Sequence, residues 1–124
     1  MRRDLDLVRD ILIKVGEADT AVNADDLVGD RPYELVAYHC MLLAQHGLID
    51  LGEVEHDMNG DCISLTVNGL TWDGEDYLTA IADPSIWRKV KTEISKVSKS
   101  VTFEVVKSTA VLLAERAIRT NLGL

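Results

Sequence analysis

Apolar and polar positions follow a helical period over most of this chain and change to a strand period in the middle. Apolar residues three and four positions apart predict a first helix over residues 4–16. The same spacing predicts a second helix over residues 32–46, which Gly47 ends. Between them the pattern leaves two interpretations open. We favour a short helix over residues 24–28, and the alternative is a brief edge strand over residues 20–22.

After Gly47 the period changes to two. Partial alternation predicts strands over residues 48–56 and 62–67, which Asn59 and Gly60 join in a tight turn. A second turn or bulge is expected at Asn68. The sequence therefore predicts a β-hairpin directly after the second helix.

Three more helices are predicted beyond the hairpin. Thr71 is suited to cap a helix over residues 72–82, and Asp83 with Pro84 is suited to start the next one. The last helix is expected over residues 102–121. This order predicts a mainly α protein with a small β-hairpin. We expect a winged helix-turn-helix domain over residues 1–82 and a C-terminal helical extension over residues 83–124, within one compact fold.

Charge divides the chain into two unlike parts. The net charge is −8 over 124 residues. Residues 1–87 hold 5 Lys and Arg against 18 Asp and Glu, whereas residues 88–124 hold 8 against 3. The part that contains the predicted wing is therefore strongly acidic, and the C-terminal part is basic.

The cellular setting is expected to be the cytoplasm. No apolar run reaches the roughly 20 residues of a membrane helix, and residues 1–6 lack the apolar core of a signal peptide. The two cysteines, Cys40 and Cys62, are too few for a disulfide framework and are expected to be reduced.

Several segments resemble a bacterial and phage family known as domain of unknown function 2513. They are residues 2–9, 38–43, 46–49, 70–74, 77–78, 80–81 and 87–91. Where that family tends to have a histidine and a basic residue, this chain has Glu75 and Ala82. The resemblance implies a winged-helix-like body and a phage or prophage origin, and it implies no activity.

Two surfaces follow from the winged-helix interpretation. The exposed face of the second helix would contact DNA or another partner through Arg31, Tyr33, Glu34, Tyr38, Met41 and Gln45. The wing would present Glu53, Glu55, Asp57, Asn59 and Asp61, without any lysine or arginine. Because duplex DNA binding depends on neutralising phosphates, this wing disfavours DNA as its partner.

The C-terminal part offers two further surfaces. A basic strip consists of Arg88, Lys89, Lys91, Lys96, Lys99 and Lys107, which is either an ordinary solvated helix face or a site for a polyanion. An apolar stripe on the last helix consists of Phe103, Val106, Ala110, Leu113 and Ala117. Its spacing fits either packing within the domain or, as we favour, homodimerisation.

Catalytic and metal-binding patterns are weak. Five side chains that can bind metals, His39, Cys40, His46, His56 and Cys62, lack the close pairing that forms a coordination shell, so we expect no metal and no cofactor. The acidic residues that follow Trp72 fit the first turn of a helix better than an active site. We therefore expect a protein without enzymatic activity.

Two functions remain after these arguments. The favoured one is an interaction or regulatory protein of phage or prophage type, whose acidic face engages a macromolecular partner, in the first instance a basic protein. The alternative is a DNA-binding transcriptional regulator that uses either the helix over residues 32–45 or the basic strip over residues 88–107.

Overall fold

A computed structural model describes residues 3–96 and 101–123 of the chain. Within those ranges the protein is mainly helical, with a small antiparallel sheet of three strands. The elements in chain order are α1 (Leu5–Glu17), β1 (Val22–Asn23), a 3₁₀ helix η1 (Ala24–Leu27), α2 (Tyr33–Gln45), β2 (Ile49–His56), β3 (Cys62–Leu70), α3 (Trp72–Ile81), α4 (Pro84–Ser95) and α5 (Phe103–Leu122). None of these helices has the length and apolar character needed to cross a bilayer.

The chain divides into two compact units, Met1–Asp76 and Tyr77–Leu124, called here the first and second units. The division falls inside α3, whereas the sequence placed a boundary after residue 82. The first unit contains the sheet with α1, η1 and α2, and the second contains α4 and α5.

Helix α1 confirms its predicted start. The Asp4 carboxylate accepts a hydrogen bond from the Leu7 amide at 3.1 Å, which satisfies one of the unpaired donors of the first turn. The helix has a wide apolar face, and its buried residues are Leu7, Val8, Ile11, Leu12 and Val15. These side chains form the centre of the first unit's core.

The segment between α1 and α2 contains both of the elements that the sequence offered as alternatives. Val22 pairs with Val67 to make β1 an edge strand, and η1 follows immediately. The sheet therefore has three strands in the order β1-β3-β2, where the favoured interpretation of the sequence had only the two strands of the hairpin. A two-residue strand is too short to show a period, so only its pairing with β3 reveals it.

Helix α2 begins one residue later than predicted, with Pro32 as its cap, and ends as predicted. Gly47 has φ +73°, and its amide donates to the Ala44 carbonyl at 3.0 Å while the Leu48 amide donates to the Leu43 carbonyl at 2.9 Å. This pair of bonds is the Schellman arrangement, which needs a residue that tolerates the left-handed region. The helix therefore ends on a glycine and passes directly into β2.

The β2–β3 hairpin is joined by residues 57–61. The Asp57 carboxylate accepts from the amides of Asn59 and Asp61 at 2.9 and 3.0 Å, and Gly60 has φ +85°. The predicted irregularity at Asn68 is a bulge, because Asp50 faces Gly69 while Leu51 faces Val67.

The start of α3 is fixed against the end of α2. The Thr71 hydroxyl accepts from the Gly74 amide at 3.0 Å and donates to the Gly47 carbonyl, and the Thr71 amide donates to the Leu48 carbonyl at 3.1 Å. A side chain at Gly74 would place its Cβ 1.9 Å from the Leu48 carbonyl oxygen. Only glycine fits this approach, which gives a structural reason for the Thr-Trp-Asp-Gly segment.

The second unit is organised by two capped helices. The Asp83 carboxylate accepts from the Ser85 and Ile86 amides at 2.8 and 3.0 Å, with Pro84 in the first turn as predicted. The Thr102 hydroxyl caps α5 by accepting from the Val105 amide at 3.1 Å. The rings of Tyr77 and Phe103 meet edge to face with centroids 5.8 Å apart. The other buried residues of the unit are Ile81, Ile86, Trp87, Val90, Val106 and Ala110.

Candidate interaction surfaces

The distal half of the β2–β3 hairpin presents its acidic residues to solvent. The side chains of Glu53, Glu55, Asp57 and Asp61 are all exposed, and Asn59 is exposed at the turn. In the parts of the chain that the structure describes, none of these four carboxylates forms an ion pair. Asp57 holds the turn through its own hydrogen bonds, and the other three are available to a partner.

Apolar side chains accompany these acids, and the sequence argument missed them. Met58 is fully exposed at the turn and Ile63 on β3 is 56% exposed. A third exposed apolar residue, Trp72 (81%), lies at the start of α3, beyond the opposite end of the hairpin. Ile63 keeps the alternation of β3 with Leu65 and Val67, which are both buried. Ile63 is nevertheless exposed, because it lies in the distal part of the hairpin, beyond the residues of β3 that are buried. The sequence did contain one sign of this exposed apolar surface, which is Met58 within the otherwise polar segment of residues 57–61.

The face of α2 that was predicted to contact a partner is accessible but not cationic. Arg31, the cation at its start, forms an ion pair with Asp10 whose Nη2 to Oδ2 distance is 2.9 Å. The remaining members of the predicted face are partly or fully exposed, namely Tyr33, Glu34, Tyr38, Met41 and Gln45. The helix therefore presents aromatic, polar and acidic groups, and the cation at its start is already paired.

Tyr33 and the two cysteines lie close together in the first unit. Burial, and then the neighbouring Cys62, raise the pKa of Tyr33 to about 12. Burial and then the proximity of Cys62 raise the pKa of Cys40 to about 12. Both groups are therefore protonated at neutral pH, so Cys40 is an unreactive core thiol, as the sequence suggested, rather than a nucleophile.

His39 is fully buried and both of its ring nitrogens are used. Nε2 accepts from the Asp4 amide at 2.7 Å, and Nδ1 donates to the Leu35 carbonyl at 2.8 Å. The imidazole thus links two segments of the first unit by hydrogen bonds, and it has no free lone pair for a metal ion. No group of three or more His, Cys, Asp or Glu side chains in residues 3–96 and 101–123 is arranged to hold a metal.

The basic strip lies on two helices of the second unit. Arg88, Lys89 and Lys91 are exposed on α4, and Lys96 is exposed as the C-cap of that helix. Lys107 is half-buried on α5, and Lys99 lies outside the described residues. Lys96 forms an exposed ion pair with Glu93 at 3.2 Å. At about 100° per residue, these four cations spread over roughly 160° around the helix axis, which is nearly half of its circumference.

The apolar stripe of α5 is used within the second unit over its first half. Phe103, Val106 and Ala110 are buried, and Leu113 and Ala117 are half-buried. The exposed apolar residues of the helix lie elsewhere, at Val105, Val111, Leu112, Ile118 and Leu122. The surface of α5 that remains open to a partner is thus not the stripe that the sequence selected.

These features define a mainly helical protein with a small antiparallel sheet, an acidic hairpin and a basic helix. The chain belongs to the family described as hypothetical protein DUF2513, a domain of unknown function, which matches residues 2–102. It is similar to an uncharacterised protein of Haemophilus influenzae, with 32% identity over 113 residues that cover 89% of this chain and 92% of the relative. No solved structure matches the chain.

Proposed function

We propose that this protein is a non-enzymatic winged-helix interaction protein whose acidic hairpin engages a basic surface on a partner protein. The observation that carries the proposal is the set of exposed, unpaired carboxylates at the distal end of the hairpin, with Met58 at its tip. The cytoplasmic setting and the phage or prophage origin are expectations from the sequence and belong to the same proposal.

The order of elements supports the winged-helix part of the proposal. A short edge strand, a short helix, a longer helix and a hairpin follow one another in the first unit. The sheet order β1-β3-β2 places the first strand beside the returning strand of the hairpin. Helix α2 occupies the position before the hairpin that a DNA-reading helix occupies in winged-helix proteins.

Charge supports a basic partner rather than DNA at this surface. The first unit holds 5 Lys and Arg against 17 Asp and Glu. Phosphates would meet like charge at the hairpin, and the Arg31 side chain already contacts Asp10. A positively charged protein surface would instead be attracted and oriented by the same carboxylates. Met58 would add an apolar contact that does not depend on salt.

The experiment compares two variants that remove the same charge. One carries Glu53→Gln, Glu55→Gln and Asp61→Asn in the hairpin, and the control carries Asp19→Asn, Asp25→Asn and Asp26→Asn at exposed acids outside it. Binding of an arginine-rich peptide is followed by fluorescence anisotropy at low and moderate salt. The hairpin variant is expected to weaken binding about tenfold, equivalent to ~1.4 kcal/mol, and the control less than about threefold. Equal loss in both variants would contradict a role for the hairpin itself.

A second candidate function is DNA binding through the basic strip. The observation that favours it is the group of four exposed cations on α4 and at its C-cap. A duplex gel shift distinguishes the two candidates. Salt-sensitive binding that Arg88→Glu with Lys89→Glu abolishes would support a DNA-binding regulator, whereas the hairpin variant would leave such binding unchanged or strengthen it.

A further inference from the structure

Helix α5 carries a second heptad-spaced row on the side away from its buried stripe. Its members are separated by four, three, four, three and four residues, and all of them are exposed: Glu104, Ser108, Val111, Glu115, Ile118 and Leu122. At about 100° per residue, this row is centred about 140° around the helix from the buried stripe. One helix therefore has one apolar row that packs within its unit and another, partly apolar, that does not.

The centre of this exposed surface is a short ridge formed by residues four apart. Lys107, Val111 and Glu115 follow one another along it, and Leu112 lies beside Val111 with 49% of its surface exposed. Within the described ranges, neither Lys107 nor Glu115 forms an ion pair. The ridge thus presents a cation, an apolar side chain and an anion in that order.

We propose that α5 pairs antiparallel with α5 of a second copy of this chain, with the two-fold axis at Val111. Under that axis Val111 contacts its own equivalent, and Lys107 of each copy faces Glu115 of the other. The arrangement of the ridge is self-complementary only in this orientation. A parallel pair would place Glu104 against Glu104 and Glu115 against Glu115, which like charge disfavours.

The partial exposure of the apolar residues is consistent with such a contact. Val111 is 39% exposed and Leu112 49%, so each copy has two apolar side chains close to the axis to bury. This is a small interface, and we expect a dimer in the weak, concentration-dependent class. The inference is independent of the acidic hairpin, because it involves only residues of α5.

The experiment measures the dissociation constant of the full chain by sedimentation equilibrium over a wide concentration range. Val111→Asp is expected to raise this constant more than about tenfold. The matched control Ile63→Asp, which changes an exposed apolar residue of the hairpin, is expected to leave it unchanged. Because both positions are exposed, circular dichroism should show native helical content in each variant.

Charge reversal tests the orientation. Lys107→Glu alone and Glu115→Lys alone should each weaken the dimer about threefold to tenfold, and the double variant should return to within about twofold of the original. A chain that is monomeric at every concentration overturns the proposal. So does a dimer that Val111→Asp leaves intact, or a double variant that is as weak as the single ones, since either result would place the contact elsewhere or in another orientation.

Discussion

The buried imidazole of His39 accepts a hydrogen bond from the backbone amide of Asp4, with a distance of 2.7 Å between Nε2 and the amide nitrogen. Its Nδ1 donates to the Leu35 carbonyl within α2, which fixes the neutral tautomer. The Asp4 carboxylate at the same time caps α1. This junction connects the start of α1 to the middle of α2, across 35 positions of the sequence.

The first prediction concerns this junction. His39→Ala removes both hydrogen bonds, leaves the Asp4 amide without its acceptor and opens a cavity, so the free energy of unfolding should fall by about 2–4 kcal/mol. Urea unfolding followed by circular dichroism measures the change. His56→Ala, at an exposed histidine of the hairpin, is the control and should change the free energy by less than about 0.5 kcal/mol. A loss below about 1 kcal/mol at His39 would contradict a structural role for the pair.

The second prediction concerns the close contact at the start of α3. Gly74→Ala places a methyl group against the Leu48 carbonyl, which is backbone and cannot turn aside. The destabilisation should reach about 3 kcal/mol, although alanine by itself favours a helix. Gly69→Ala is the control, because nothing lies within 4 Å of a Cβ at that position. Thermal and urea unfolding that give similar values for both variants would show that α3 begins differently.

The third prediction concerns alkaline pH. The pKa of Cys40 is raised from 9.0 to about 12, and that of Tyr33 from 10.0 to about 12, chiefly by burial. The folded chain therefore retains protons that the unfolded chain releases, so this contribution to stability is complete below pH 9 and is lost as the pH rises towards 12.

The two groups can be separated by where their effects begin. Between pH 9 and 10 the loss comes from Cys40, because Tyr33 does not yet titrate in the unfolded chain. Cys40→Val should flatten the decline of the unfolding free energy in that interval, and Tyr33→Phe should flatten it only above pH 10. Urea midpoints measured across the pH range provide the comparison. A slope that neither substitution changes would contradict the burial of these groups.

The fourth prediction concerns the turn of the hairpin. Asp57→Ala removes the acceptor of the Asn59 and Asp61 amides, and the free energy of unfolding should fall by about 1 kcal/mol at this exposed site. Amide hydrogen exchange measured by NMR should become faster at those two positions.

Asp57→Asn retains an acceptor oxygen and should preserve protection. Asp61→Ala removes the same charge, but the Asp61 side chain forms no hydrogen bond in the turn, so this variant should have little effect. Loss of protection in both Asp57→Asn and Asp61→Ala would assign the effect to charge instead.

The local elements of the fold could be predicted closely because their determinants are neighbours in sequence. Thr71 and Asp83 cap the helices for which they were proposed, and Gly47 ends α2. Which of the many apolar residues of α2 are buried could not be read from its pattern, because they lie nearly all around the helix. Leu43 is buried whereas Leu42 is partly exposed, and the buried residues include His39.

For the candidate surfaces too, the sequence revealed the local properties and missed those that depend on tertiary contacts. The acidic composition of the hairpin is a property of consecutive residues and was evident at once. That its carboxylates are unpaired, and that Arg31 contacts Asp10 across 21 positions, depends on which segments approach one another. The stripe on α5 shows the limit of a local pattern. Its helical period was predicted correctly, but the burial of its first three residues does not support its assignment to a partner.

The sequence by itself determined where most helices and strands begin and end, and how charge is distributed between the two parts of the chain. Those properties arise from hydrogen bonds and side-chain patterns within a few residues. Only the tertiary structure decided that Val22 and Asn23 form a third strand, that Gly74 must be glycine, and that α5 presents Val111 outward. These outcomes depend on contacts between distant segments. A local sequence pattern carries no information about the free energies of those contacts.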